Sequence, residues 1–273
     1  MELKITILCD NTPIDKSFKS EHGLSIHFEF NGKTFLWDCG FSDAAVQNAH
    51  YSGIDLKNIE GIGISHGHYD HTGGLLPILL LSGPKNIYIH PSAFENKYFV
   101  SVDKKRFIGI PYREEFLSSI SAGLFFTDGI TELIPGVKII GNIPRVTDFE
   151  GQEANLFRET KDGLKPDNFP DDQAIIVEMN DGIVVLTGCA HSGIVNTLKY
   201  ALSLSKRIKA VIGGTHLMGA STERIVKTLD FLEEILPEKI VPCHCTGDKA
   251  TALMIERFKE RIIPGRSGLS LYL

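Results

Sequence analysis

The sequence predicts an α+β protein in which two β-sheets pack together with helices outside. Two observations carry this expectation. Hairpin-rich strands give way to strand–helix alternation, and that succession occurs twice, once in each half of the chain. The composition agrees: at 273 residues with 42% apolar and 23% charged side chains, the chain is long enough to bury a sizeable core. No internal repeat suggests a solenoid, and residues 1–273 read as a single domain.

Taken in order, LKITILCD, LSIHFEF and KTFLWDCG read as strands, the last two joined through Asn31-Gly32, a strong hairpin dipeptide. AAVQNAHYSGI has helical spacing, and IEGIGISH is a short buried strand. TGGLLPILLLSG follows as a helix and KNIYIHPS as a strand. From about 93 to 172 the chain is expected to be irregular, with scattered Pro, Gly and charge and one aromatic patch, GLFFTDG. Such a segment is either an insertion carrying substrate contacts or a partly ordered flap. Regularity returns at QAIIVEMNDGIVVLTGCAH, a second hairpin turning at Asn180-Asp181-Gly182. The helix GIVNTLKYALSLS, strand IKAVIGGTH, helix TERIVKTLDFLEEIL, strand KIVPCHC and helix DKATALMIERFKERI complete the chain.

The formal net charge of -6 argues against a nucleic-acid partner, because phosphate neutralisation needs clustered Lys and Arg. MELKITILCD reads as a first strand and not as a signal peptide. No apolar run reaches the roughly 18 residues of a spanning helix, so a cytoplasmic protein without a membrane partner is expected. Cys9, Cys39, Cys189, Cys243 and Cys245 form no CxxC pair and read as reduced thiols.

The chemistry concentrates at strand ends. Asp38, His66, His191, His216 and His244 each follow a predicted strand, where layered proteins tend to build sites. The densest point is ISHGHYDHTGG. His66 and His68 lie two apart on extended chain and point the same way, while Asp70 and His71 sit where the chain turns toward a helix starting near Thr72. Imidazoles and carboxylates suit zinc best and tolerate iron or manganese. Four such groups exceed the comfortable demand of one ion. With two histidines from distant loops they would hold two divalent ions about 3.5–4 Å apart. Gly67, Gly73 and Gly74 are expected to let the backbone approach the metals. His22, His27, His50 and His90 lack cluster partners and read as surface or packing residues. His216 reads either as an acid or hydrogen-bond donor toward substrate or as a structural residue. Thr246 and Gly247, at the start of the last helix, are candidates for phosphate binding, with Thr246 alternatively a simple N-cap. Arg113 and Arg145 are candidate clamps for an anionic substrate.

HGHYDH resembles the H-x-H-x-D-H signature of the metallo-β-lactamase superfamily, and LWDCG and VVLTGCAH are similar to its earlier and later strand-end motifs. GIPYREEF, IPRVTDFE, PDDQAIIVE, TGCAHSGIVNTL, IGGTHLMGAS and PCHCTGDKA extend the resemblance over nearly the whole chain, to a branch that includes a condensing enzyme of pterin cofactor biosynthesis. The resemblance implies an αββα four-layer sandwich of two mixed sheets with a dinuclear site at one edge. It implies that His66, His68 and His191 hold one metal and Asp70, His71 and His244 the other, with Asp70 also acting on a metal-bound water and Asp38 lying behind the ligands. The chain departs from the pattern at two places. Cys189 stands where most hydrolases of the superfamily carry a bridging aspartate, so it is either a soft ligand or a small buried residue beside the metals. Asp171-Asp172-Gln173 replaces the usual upstream histidine, so His191 stands in from another strand end.

The expected function is a dinuclear metal-dependent hydrolase acting on a phosphorylated or anionic small molecule through a metal-bound water. The alternatives are a dihydropterin/aryl-ribose-phosphate condensing enzyme and a non-catalytic metal- or nucleotide-binding module. Di-iron redox chemistry with a flavin domain is disfavoured, since His68 occupies a place where such members tend to carry glutamate. A homo-oligomer is compatible with the sequence.

Overall fold

The computed structural model describes residues 2–151, 153–205 and 207–273. Its first strands, β1 (Leu3–Cys9), β2 (Ser25–Phe30) and β3 (Lys33–Trp37), are antiparallel neighbours. Asn31 and Gly32 turn the β2–β3 hairpin with φ of 51° and 76°, the left-handed pair that a two-residue turn needs to match strand twist. Crossover connections then bring parallel strands. Helix α1 (Ala44–Tyr51) precedes β4 (Gly61–Gly63), and α2 (Tyr69–Thr72) and α3 (Leu75–Ser82) precede β5 (Asn86–Ile89).

The expectation of irregular chain over 93–172 is corrected. This segment forms β6 (Lys97–Ser101), β7 (Lys104–Phe107), α4 (Glu114–Ile120), β8 (Gly123–Phe126), β9 (Ile130–Ile134), β10 (Val137–Ile140), β11 (Leu156–Thr160) and β12 (Gly163–Pro166). These strands are four or five residues long, and in KKRF and GLKP every residue is exposed. Short strands without an alternating buried face leave no period-2 signal to read.

The second half contributes β13 (Ala174–Met179), β14 (Gly182–Thr187), α5 (Ile194–Leu204), β15 (Ile208–Gly214), α6 (Thr222–Ile235), β16 (Lys239–Cys243), α7 (Asp248–Phe258) and β17 (Ser270–Tyr272). Three sheets result: seven strands in the order β17-β1-β2-β3-β4-β5-β8, six in the order β16-β15-β14-β13-β10-β9, and four in the order β12-β11-β6-β7. Both larger sheets are mixed, antiparallel on one side and parallel on the other.

The two larger sheets face each other through Ile5, Phe28 and Trp37 on one side and Ile139, Val177 and Leu186 on the other. Behind the six-stranded sheet, Leu198, Leu229 and Met254 bring α5, α6 and α7 onto Ile176, Val185 and Val211. Behind the seven-stranded sheet, Ala45 and Ile78 bring α1 and α3 onto Leu36 and Ile62. The fold is therefore the αββα sandwich. The four-stranded sheet sits beside it through Ile108, Leu156 and Phe169, with Tyr69 and Phe99 packed against them. Among the described residues, no helix is long and apolar enough to cross a membrane.

Parallel order determines where chemistry can gather. β3 and β4 run together, as do β14, β15 and β16, so their C-terminal ends open at one edge of the sandwich.

His27 on β2 lies opposite Leu36 and Thr6, is 5% exposed, and its Nδ1 has no hydrogen-bond partner. Burial, with Lys4 adding to it, pushes its pKa from 6.5 to about 4. Between those values the unfolded chain takes up a proton that the folded protein refuses, so stability falls as pH drops from about 6.5 to about 4. His27→Phe is expected to remove that part of the acid sensitivity. Urea midpoints measured across the window check this: the variant's advantage over wild type should grow toward low pH, and a constant difference would contradict it.

Candidate metal centre

The end of β4 delivers the histidine cluster. His66 lies in a bend just past β4, whereas His68 is extended and occupies the N-cap of α2. The helix thus begins at Tyr69, earlier than the expected Thr72, and places Asp70 and His71 inside its single turn. The small residues have a different purpose from the one expected. The space left by Gly67, Gly73 and Gly74 is filled by the carbonyls of Ala93, Phe41 and Cys39, so these glycines admit neighbouring backbone. Gly67 also donates its N–H to Asp171 Oδ2 at 2.7 Å, between the two histidines.

Two donor sets converge. His66 Nε2 lies 3.0 Å from His68 Nδ1, and the His191 ring is centred 4.8 Å and 4.9 Å from those of His66 and His68. On the other side, Asp70 Oδ2 lies 3.2 Å from His244 Nε2 and 3.9 Å from His71 Nε2. Cys189 Sγ stands between them, 3.2 Å from His71 Nε2. Donor atoms of His66, Cys189 and His191 lie within 4.8 Å of one another, and so do those of His71, Cys189 and His244. Cys189 is the member common to both sets.

The arrangement fits divalent ions. His68 Nε2 and His191 Nε2 are buried without hydrogen-bond partners, a condition buried polar atoms rarely tolerate. Burial holds His66 and His191 well below the ordinary imidazole range and His68 at about 3, so their lone pairs are free at neutral pH. His71 behaves differently. Burial opposes its charge, but Asp38 and Asp70 outweigh it and raise the pKa to about 9. Asp70 is buried too, yet His71, His22 and His244 hold it well below the usual carboxylate range.

Asp38 orients this half of the site. Its carboxylate is fully buried and accepts from Ser65 N–H, Ser65 Oγ and His71 Nδ1, each at 2.7 Å, which turns His71 Nε2 inward. Backbone strain marks the same edge. Asp38, Ala190, His216 and His244, each just past a strand, have φ of 61°, 57°, 51° and 48°, a conformation uncommon for non-glycine residues.

A cavity of about 380 Å³ opens over the centre, with His68, Asp70, Cys189, His191 and His244 on its floor and Tyr69, Phe99, Arg106, Leu156 and Met218 among its walls. His216 is on that wall, its Nε2 paired with Glu153, whose carboxylate also lies 3.5 Å from His191 Nδ1.

Four sequence candidates lie elsewhere. Thr246 is 1% exposed, and its hydroxyl is engaged by Thr215 N–H at 3.2 Å and Thr215 Oγ1 at 3.0 Å. Gly247, not Thr246, is the N-cap of α7, and it faces a neighbouring surface cavity. Arg113 precedes α4 on another surface. Arg145 braces the site from behind, donating to the carbonyls of Asn168 at 3.1 Å and His191 at 3.0 Å. Conversely, His22, expected at the surface or in packing, puts Nε2 3.1 Å from Asp70 Oδ2 on the cavity wall. Neither His22 nor Glu153 follows a strand or belongs to a cluster in sequence, so only their partners reveal them. His90 accepts from Ser92 N–H at 3.1 Å and caps a turn, as expected of a residue outside the site.

Fold and site together define a class, and likeness to known proteins places the chain within it. Residues 22–244 match the metallo-beta-lactamase superfamily, and the chain belongs to that superfamily. It is 31% identical over 268 residues to the 7,8-dihydropterin-6-methyl-4-(beta-D-ribofuranosyl)-aminobenzene-5'-phosphate synthase of Methanocaldococcus jannaschii, covering 93% of this chain and 91% of that protein. An uncharacterized protein of the same organism is 34% identical over 251 residues, 90% of this chain and 91% of its own. The crystal structure of Tm1679, a metal-dependent hydrolase of the β-lactamase superfamily, aligns over 98% of both chains with a TM-score of 0.86 and 32% identity.

A buried ion cluster ties the four-stranded sheet to the centre. Lys97 Nζ, fully buried, lies 3.0 Å from Asp167 Oδ2 and 2.9 Å from Asp171 Oδ1, and Asp171 in turn holds Gly67. Phe169 lies under Lys97 at 5.4 Å and stacks flat on His191 at 3.9 Å. Lys97→Met would leave two buried carboxylates without their cation, so it is expected to lower stability by about 3–5 kcal/mol. Urea unfolding checks this, and a loss below about 1 kcal/mol would show the cluster to be expendable.

Proposed function

We propose that this protein is a dinuclear metal-dependent enzyme acting on a phosphorylated or anionic small molecule, with hydrolysis as its simplest reaction. The observation that carries the reading is the pair of donor sets sharing Cys189 on the floor of one open cavity. His66, His68 and His191 would hold one ion and Asp70, His71 and His244 the other, with Cys189 between them. The chemistry such ions supply when bound is polarisation of a substrate oxygen and activation of water at neutral pH. Zinc suits this donor set best.

The chain's own residues supply the remainder. Asp70, ionised and held by His22 and His244, orients the attacking group over the floor. His216, its Nε2 paired with Glu153, holds that carboxylate on the cavity wall beside the substrate. Asp38 keeps His71 aimed inward. The complete quartet His66, His68, Asp70 and His71 supports an enzyme over a module that only binds.

A second reading has its own support. The near-full-length likeness to an enzyme named as a synthase favours condensation of a dihydropterin with an aryl ribose phosphate in the same cavity.

Elemental analysis of purified wild type is expected to find two ions per chain, and His68→Ala to lose at least one. Equal content in both, or none in either, overturns the metal assignment. Asp70→Ala, assayed on a panel of phosphodiesters and lactones, is expected to lose about 100-fold or more. Full activity in that variant would remove Asp70 from its role. Release of diphosphate from a dihydropterin diphosphate only when the aryl ribose phosphate is present, with a joined product formed, would favour condensation over hydrolysis.

A further inference from the structure

We propose that Arg106 is the anchor for the anionic group of the substrate, and that the four-stranded sheet is the wall that recognises the rest of the molecule. This rests on the reading that the cavity over the donor sets is a substrate site. Among the described residues, Arg106 is the only Arg or Lys lining that cavity. Its guanidinium lies 5.9 Å from the centre of the Tyr69 ring, inside the HGHYDH motif, so it reaches the side of the cavity where the histidine loop enters.

Beyond its contact with the Tyr69 ring, the guanidinium has no ionic partner among the described residues. Arg158, Arg207 and Arg257 each have a carboxylate partner, whereas Arg106 has neither an ion pair nor a side-chain hydrogen bond among the described residues. The two carboxylates lining the cavity do not neutralise it, since Asp70 is engaged by His22 and His244, and Glu153 by His216 and His191. An arginine fork with all its donors free is matched by a phosphate or carboxylate from outside.

The surroundings describe what that anion is attached to. Phe99 on β6, Ile108 just past β7 and Leu156 on β11 bring apolar surface from the same sheet, and Tyr69 and Met218 add to it from the sandwich. A cavity with one cationic anchor and apolar or aromatic walls takes a flat or apolar body carrying an anionic end. The anionic end would lie by Arg106, displaced from the floor, so that the anchor orients the body across the donor sets.

Phenyl phosphate is a suitable probe, titrated calorimetrically into metal-loaded, full-length protein, with phenol and inorganic phosphate as comparison ligands. Arg106→Gln is expected to weaken phenyl phosphate about tenfold or more and to leave phenol unchanged, and Arg106→Lys to recover part of the loss. Wild type is expected to bind phenyl phosphate more tightly than inorganic phosphate. Equal affinity for phenyl phosphate in wild type and Arg106→Gln, with thermal midpoint and metal content unchanged, overturns the anchor. Equal weakening of phenol and phenyl phosphate overturns it too, because the residue would then act through packing. Equal wild-type affinity for inorganic and phenyl phosphate overturns the apolar wall. The same titrations on metal-free protein are expected to retain the Arg106 dependence, whereas failure to take up metal at all overturns only the dinuclear reading.

Discussion

The Asp38 carboxylate is the interaction on which the rest of the site depends. It is fully buried and satisfied by three donors from the neighbouring strand end and its helix: Ser65 N–H, Ser65 Oγ and His71 Nδ1. A carboxylate is tolerable at that depth only if its lone pairs are filled. Filling them fixes the exit of β3 against the exit of β4 and sets the rotation of His71 at once. The histidine loop therefore enters the cavity with one ring already aimed. Its other members then fall on the two sides of Cys189.

A similar logic links the four-stranded sheet to the centre. Lys97 begins β6, and its charge is buried between Asp167 and Asp171. Asp171 passes the constraint to Gly67, and Phe169 passes it to His191 by stacking. The sheet that walls the cavity and the loop that carries the ligands are thus parts of one hydrogen-bonded body. Cavity shape and donor geometry cannot vary independently, which is the condition under which a substrate anchor and a reactive floor can stay in register.

Much of the architecture was legible because it rests on periodicity and on turn chemistry. The β2–β3 hairpin followed from Asn31-Gly32, and α5, α6 and α7 followed from amphipathic spacing. The four-stranded sheet was not legible, since strands such as KKRF and GLKP have no buried face and gain their order from pairing with partners far along the chain. The candidate site divides in the same way. His66, His68, Asp70 and His71 announce themselves by clustering, and Asp38, His191, His216 and His244 by following strands. Arg113 and Arg145 were the arginines singled out as clamps, and in a segment without readable pattern nothing set Arg106 apart. Thr246 looked available because its engagement by Thr215 links residues 31 apart.

By itself the sequence determined the αββα layering and the presence of a donor cluster, because apolar period and ligand spacing are local properties. The tertiary structure alone decided which residues complete the centre. It set Cys189 against His71 across 118 residues, brought His22 to Asp70 and Glu153 to His216, turned Arg145 to the back of His191, and carried Arg106 to the cavity wall. Those pairings are made by parallel strands ending at a common edge and by a sheet docked beside it. Convergence of that kind depends on how distant segments pack and has no signature in the order of residues along the chain.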